Sequence, residues 1–387
     1  MIERKITKKI LELSKKFPVI AIIGPRQSGK TTLAKHIFPE KDYINLEAPD
    51  SRLFAQEDSR TFLSDHSHGL IIDEAQQVPD LFSYIQTIVD DAPMPGHFIL
   101  TGSQHFLLHE KISQTLAGRV AIFQLLPFSL AELQKTPYFQ NDYSYYLYTG
   151  FYPAIYDRSI APKDWFPNYV HTYVERDIRL LKNISNLDAF TRFLKMCAGR
   201  IGQLLNLTSL SNEMGITINT VKAWLSVLEA SFIIFLLQPH FKNFNKRLVK
   251  TPKLYFHDTG LAAYLLGIEN RKQIKTHYLK GGLFENLIIS EFYKHRLNNG
   301  SEPRLYFWRD KIGREIDCII ENGNELKAVE IKSAQTITKE FQKNIIFWNK
   351  ISDQSAEHAY VVYGGDDIQI RSHAQFIPWR NIKKIFE

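Results

Sequence analysis

Eight consecutive residues carry the clearest chemistry in this 387-residue chain. Gly24, Pro25, Arg26, Gln27, Ser28, Gly29, Lys30 and Thr31 fit the pattern G-x-x-x-x-G-K-[ST] in full. Glycines at those places let backbone amides wrap phosphate oxygens, because no Cβ holds the ligand away. The lysine reaches the terminal phosphates, and the Thr31 hydroxyl joins a magnesium shell. A helix opening at the loop's end turns its positive pole toward the same charges, with Thr32 in its first turn. ATP and Mg²⁺ are the cofactors this loop implies.

Leu70-Ile71-Ile72-Asp73-Glu74 supplies the complementary half. An apolar strand delivers Asp73 to its carboxyl end, where the carboxylate helps Thr31 hold the metal. Glu74, one residue on, is placed to polarise an attacking water. Together with Lys30 it is a candidate catalytic residue. Phe98–Leu100 followed by Thr101-Gly102-Ser103-Gln104 is a further strand ending in polar groups. Thr101 or Ser103 is read there as a sensor of the terminal phosphate, against the plainer reading of a polar turn.

These residues need a scaffold, and the pattern around them provides one. Residues 3–16 place Ile6, Ile10, Leu11 and Leu13 at roughly helical spacing. Short apolar runs then alternate with helical patterns: Val19–Ile23, Tyr43–Leu46, Leu70–Ile72, Phe98–Leu100 and Val120–Phe123. Such alternation predicts a parallel α/β sheet of the P-loop NTPase type, closing near Gly150, with the first domain spanning 1–155.

The glycine loop with Pro-Arg-Gln, the Leu-Ile-Ile-Asp-Glu-Ala-Gln strand and Leu-Thr-Gly-Ser resemble a group of prokaryotic AAA+-type ATPases. These carry a C-terminal domain of unknown function with a restriction-endonuclease-like core. The resemblance continues through Leu116-Ala117-Gly118-Arg119, Gly150-Phe151-Tyr152-Pro153, Tyr173-Val174-Glu175-Arg176-Asp177 and Gly281-Gly282-Leu283-Phe284-Glu285-Asn286. It therefore covers nearly the whole chain. It implies that Arg119 stabilises phosphate charge, in cis or from a neighbouring subunit; the plainer reading is a surface arginine.

Composition bounds the remainder. Apolar residues make up 44%, aromatic residues 13% and charged residues 23%, which suits packed domains and not long disorder. The two cysteines, Cys197 and Cys318, stand in no metal-ligand spacing and form no disulfide framework, so a reducing, cytoplasmic compartment is expected. Phe232–Leu237 is the longest apolar run outside the first strand, far below the ~20 residues of a membrane helix. No membrane partner is expected.

Net charge is +7, which admits phosphate-rich partners. Helical patterns fill 163–181, 188–201, 207–214 and 217–230, with Gly215 as the turn of a helix-turn-helix. Strand patterns at Phe232–Gln238 and Lys253–Phe256 flank a basic stretch. Residues 240–253 hold five Lys/Arg and no acid, including Lys242, Lys246, Arg247 and Lys250. A winged-helix-like domain over 156–270 follows, its wing touching DNA or RNA, or serving instead as a protein-binding lever.

The last domain, 271–387, begins with a helix at 279–298. Strands at 304–308, 315–321 and 326–332 follow, the last two joined through Asn322-Gly323. A helix near 338–350 and a strand near 358–363 close it. Asp317, Glu330 and Lys332 resemble the D…E-x-K set of restriction-type nucleases, and Glu285 lies on the helix. Glu330 and Lys332 are two apart and share a strand face. Carboxylates so placed hold a second Mg²⁺ or Mn²⁺ while the lysine orients water. The competing reading is a buried salt-bridge network in a catalytically silent domain. Residues 271–314 carry ten Lys/Arg against four Asp/Glu, which suits a phosphodiester backbone. Two functions stay open on these residues. One is an ATP-driven enzyme acting on nucleic acid; the other is a nucleotide-dependent switch for a protein partner or a second copy.

Overall fold

The computed structural model describes residues 2–64, 66, 68–103, 115–173, 186–240, 249–352 and 355–387. They fall into two compact units. The first comprises residues up to Phe128 together with Ala230–Phe232 and His295–Glu302; the second comprises the remainder. The sequence reading places boundaries at 155 and 270; by compactness the chain first changes unit after Phe128, and Ala230–Phe232 and His295–Glu302 return to the first unit. Periodicity is local, whereas unit membership is set by pairing between residues far apart in sequence.

In the N-terminal unit, strands β1 (Val19–Ile23), β2 (Asp42–Asn45), β3 (Leu70–Asp73), β4 (Phe98–Gly102) and β5 (Val120–Gln124) form a parallel sheet in the order β2-β3-β4-β1-β5. β1 is Val-Ile-Ala-Ile-Ile and is buried along its whole length, as a central parallel strand covered on both faces must be. All five strands lie where the apolar runs predict them. Register sets the function: Ile23 pairs with Gly102 and with Gln124, and Asn45 pairs with Asp73. The carboxyl ends of all five strands therefore share one edge, where open α/β sheets bind ligands. Because β4 lies between β1 and β3, its polar end falls between the glycine loop and Asp73. Ile6, at the N-cap of helix α1 (Thr7–Ser14), and Ile10 within it pack onto this core, and helix α2 (Lys30–Ile37) follows the loop.

The C-terminal unit is built on a mixed sheet. β6 (Ile234–Pro239), β7 (Lys253–Phe256), β8 (Leu305–Arg309), β9 (Glu315–Asn322), β10 (Glu325–Lys332), β11 (Ala359–Tyr363), β12 (Gln369–Ile370) and β13 (Gln375–Pro378) run in the order β12-β13-β11-β10-β9-β8-β6-β7. The β9–β10 hairpin turns at Asn322-Gly323 as expected, with Gly323 at φ 63°. The β6–β7 pair, expected to flank a wing in a separate domain, instead continues this sheet, since Gln238 pairs with Tyr306 of β8. Edge strand β12 and its neighbour β13 leave no readable pattern, because two to four residues do not sustain an alternation. Helices Leu207–Met214 and Ile218–Ala230 flank Gly215 as predicted. Lys242, Lys246 and Arg247 of the basic stretch, Val174–Asp177 and Gln104 lie outside the described residues.

One glycine explains a conspicuous motif. Gly150, at φ +66°, lies so close to Asp258 that an added Cβ would stand 2.3 Å from its Oδ1. Asp258 caps helix Thr259–Leu265 through Leu261 N–H and also accepts Phe151 N–H at 2.7 Å. Gly150→Ala is expected to lower unfolding stability by about 2–4 kcal/mol, combining positive-φ strain with loss of this clamp. Denaturant titration measures it.

Candidate functional site

The loop after β1 is held open by its own backbone. Gly24 stands at φ 154°, and a Cβ there would come within 2.2 Å of the Leu125 carbonyl oxygen. Gln27 at φ 62° and Gly29 at φ 93° hold two left-handed turns, the conformation that converges amides into an anion nest. Lys30 folds back across the loop, its ammonium donating to the carbonyls of Gly24 (3.0 Å) and Pro25 (2.9 Å). Beneath, Arg4 donates to Ser28 O at 2.9 Å and Leu126 O at 2.5 Å, with its guanidinium 4.9 Å from the Phe128 ring centre. No motif marks Arg4 in the sequence; its task is to brace the loop. Arg26 pairs with Glu47 at 3.5 Å, and Thr32 occupies the first turn of α2.

Asp73 accepts three hydroxyls. Thr31 and Tyr43 donate to its Oδ2, each at 2.9 Å, and Thr101 donates to its Oδ1. Two ligands of an octahedral Mg²⁺ at ~2.1 Å stand ~2.9 Å apart, so the Thr31 and Asp73 oxygens already keep the spacing of a metal shell. Ser28 Oγ, in the nest, is fully buried without a hydrogen-bond partner. A nucleotide with its magnesium fits this donor set. Burial, and then the bond to Asp73, push the Tyr43 phenol upward, so Tyr43 stays a donor. Nothing in its local pattern marks Tyr43, because its partner is remote in sequence.

Glu74 adopts a left-handed conformation, φ 54°, that turns its carboxylate off the strand axis. Its Oε2 accepts Ser103 Oγ at 3.0 Å and the Gln76 amide. Thr101 and Ser103 thus each touch one of the two acids. Arg119 does not join them. It precedes β5 and accepts Val19 N–H through its carbonyl, at the amino edge of the sheet and so about five strand residues, ~16 Å, from the loop. Its guanidinium pairs with Asp90. The expected action of Arg119 in cis is therefore not met: a residue before the strand and a loop after the strand lie at opposite ends.

The C-terminal acids also converge, with additions. Lys332 Nζ lies 3.1 Å from Asp317 Oδ2 and 2.5 Å from Glu330 Oε2. Asp317 further accepts Ile331 N–H at 2.7 Å. Glu285 accepts from Lys253 at 2.9 Å and from Tyr255 OH at 2.5 Å. Lys253 also lies 2.5 Å from Glu315 Oε1, whose other oxygen meets Arg309 at 2.9 Å. Carboxylate oxygens of Glu285, Glu315 and Asp317 lie within 4.8 Å of one another.

Asn286 positions this cluster by bonding both the N–H and the C=O of Phe256, at 2.6 and 2.9 Å, which pins helix Lys280–Asn298 to β7. Burial, and then the Asp317 charge, push the Glu330 carboxyl up to about 8, partly offset by Lys332. For Asp317 the burial penalty is outweighed by Lys332 and Lys253, which hold its carboxyl below the usual range. No motif singles out Lys253, Tyr255 or Glu315 in the sequence. Glu315, two residues before Asp317 on one strand, carries the only signal that would have found it.

A buried parallel sheet with a glycine nest, a magnesium-spaced Thr–Asp pair and a neighbouring glutamate gives the N-terminal unit the fold of a P-loop NTPase, with a donor set that suits a nucleotide and its magnesium. The sequence matches the AAA domain family over residues 16–134. It matches two domains of unknown function, DUF8612 over 140–272 and DUF4143 over 280–382. The uncharacterized proteins Mb2031c of Mycobacterium bovis and Rv2008c of Mycobacterium tuberculosis are each 30% identical to it over 323 residues, 82% of this chain and 71% of theirs. The chain belongs to their family. Among solved structures, the Walker-type ATPase PABY2304 of Pyrococcus abyssi is 16% identical with a TM-score of 0.47, over 68% of this chain and 96% of that one. The RuvB Holliday junction branch migration motor of Thermotoga maritima is 18% identical with a TM-score of 0.33, over 60% and 89%. At those scores neither likeness carries an inference about ligand or partner. No described helix is long and apolar enough to cross a membrane.

Tyr43→Phe removes one donor from Asp73 while keeping the ring beneath Lys35, whose ammonium lies 3.3 Å from the ring centre. Apparent Mg²⁺ affinity in ATP turnover is expected to fall about tenfold, with the fold intact. A Mg²⁺ titration of the initial rate reads this directly.

Proposed function

We propose that the protein binds Mg·ATP on residues 24–32 and hydrolyses it, with Glu74 as the base that polarises the water and Asp73 and Thr31 as the metal's protein ligands. The observation that carries this is the meeting of Thr31, Asp73 and Thr101 at one edge, one residue from Glu74. Magnesium, when bound, would supply charge neutralisation to the phosphates. The protein's own groups do the rest. Lys30 exchanges loop carbonyls for phosphate oxygens, and the nest amides align the chain. Ser103 and Gln76 hold one oxygen of Glu74, which leaves the other for the water. Arg119, at the opposite end of β5, then serves a neighbouring subunit's site.

Lys30→Ala is expected to abolish measurable ATP binding. Glu74→Gln should bind ATP normally and turn it over about 10²–10⁴-fold more slowly. Nucleotide-binding titration and phosphate release separate the two. Equal turnover in Glu74→Gln and wild type would remove Glu74 from the mechanism.

The ATP cycle, in this proposal, governs engagement of nucleic acid through the winged-helix-like segment and the basic stretch around Lys246, Arg247 and Lys250. Replacing those three by Ala should weaken DNA or RNA binding. It should also flatten the dependence on log salt by roughly 0.7–0.9 for each phosphate no longer neutralised. An unchanged salt slope would assign the stretch elsewhere. A second reading is a nucleotide-dependent switch for a protein partner, with a silent nuclease-like domain. It is favoured by one observation: Glu285 and Asp317 are already matched by the buried ammonium of Lys253 and the half-buried ammonium of Lys332.

A further inference from the structure

We infer that Lys253, and not a divalent ion, is the resident cation of the acidic cluster in the C-terminal unit, so that the D…E-x-K set here is closed to metal. The inference deepens the switch reading and rests on the silent domain that it names. It is independent of ATP hydrolysis.

Three observations on the cluster support it. First, the Lys253 ammonium bridges Glu285 Oε1 at 2.9 Å and Glu315 Oε1 at 2.5 Å, two of the three carboxylates near enough to share an ion. A Mg²⁺ ion needs oxygens at ~2.1 Å and tolerates little departure from octahedral geometry, so it and the ammonium compete for one place. Second, the lysine has nowhere to withdraw. Its side chain is 3% exposed, and the Phe307 ring centre lies 5.7 Å from its nitrogen. Withdrawal would leave an unpaired buried charge. Third, one oxygen or more of each of Glu285, Glu315 and Asp317 is already taken, while Glu330 Oε1 is buried without a hydrogen-bond partner. Tyr255 also donates to Glu285 Oε1, Arg309 takes the other oxygen of Glu315, and Lys332 with Ile331 N–H takes Asp317 Oδ2. Glu285 Oε2 faces the backbone at Gly202, 3.4 Å from where a Cβ would stand. Lys253 also bridges to Leu204 through its backbone, which ties the cation to the sheet edge.

The test is Mn²⁺ binding to the full-length, nucleotide-free protein by calorimetry, with Asp317→Asn as the subtraction. Wild type and Asp317→Asn should give the same isotherm. Lys253→Met should gain a Mn²⁺ site about 10³-fold tighter than anything dependent on Asp317 in wild type, and lose it again with Asp317→Asn. For two unit charges ~4 Å apart at an effective dielectric of ~20 the factor is about 10³, and the second charge of Mn²⁺ raises it further, so 10³ is the smallest gain expected. The melting temperature of Lys253→Met should rise with Mn²⁺ while that of wild type stays flat. An Asp317-dependent Mn²⁺ site in wild type would overturn the inference whether or not the lysine variant folds. A folded Lys253→Met with no gain would overturn it too, since Lys253 would then not stand in a metal's place. ATP turnover, read in the same samples, reports separately on the N-terminal site.

Discussion

The carboxylate of Asp73 joins four separate stretches of chain. It ends β3, takes a hydroxyl from Thr31 on α2, another from Tyr43 on β2 and a third from Thr101 on β4. A buried carboxylate without donors would be costly, so these hydroxyls must come to it. The three elements are thereby held level at the sheet's carboxyl edge. The glycine nest, the Glu74 turn and the polar end of β4 all take their places from that edge.

The loop on that edge stores strain that its surroundings must sustain. Gln27 and Glu74 both hold positive φ without being glycine, a cost of order 1–3 kcal/mol each. Arg4 on one side of the loop and Ser103 with Gln76 beside Glu74 supply compensating hydrogen bonds. Tight local order at these residues is needed for phosphate recognition, because nest amides act as fixed dipoles only when they do not reorganise.

The C-terminal unit manages charge differently. Its interior carries matched ions: Lys253 with Glu285 and Glu315, Lys332 with Asp317 and Glu330, and Lys294 with Glu291 at 2.9 Å. Glu291 also accepts Leu130 N–H at 2.7 Å, so one buried acid fixes a helix and a distant turn together. Buried pairs of this kind add little net stability but penalise every arrangement that separates them. The same chemistry that resembles a nuclease site thus also specifies the packing of β7, β9, β10 and helix Lys280–Asn298.

Much of this was legible in the chain itself. The phosphate loop, Asp73, Glu74 and the five strands are written locally. A parallel strand buried on both faces is a run of apolar residues, and a nest is a run of glycines at set spacing. The pairing of Asp317 with Glu330 and Lys332 was readable too, because a hairpin turn sets the register of its two strands. What the sequence left undetermined depends on contacts between remote positions. Arg119 falls at the wrong end of β5 for its own site, and strand direction, not residue type, decides that. The β6–β7 pair joins the large sheet because Gln238 finds Tyr306, which no local pattern shows. Lys253 reads as one more cation of a basic stretch. Only folding places its ammonium among Glu285, Glu315 and Asp317, where removal from water turns an ordinary lysine into the counter-charge of the site.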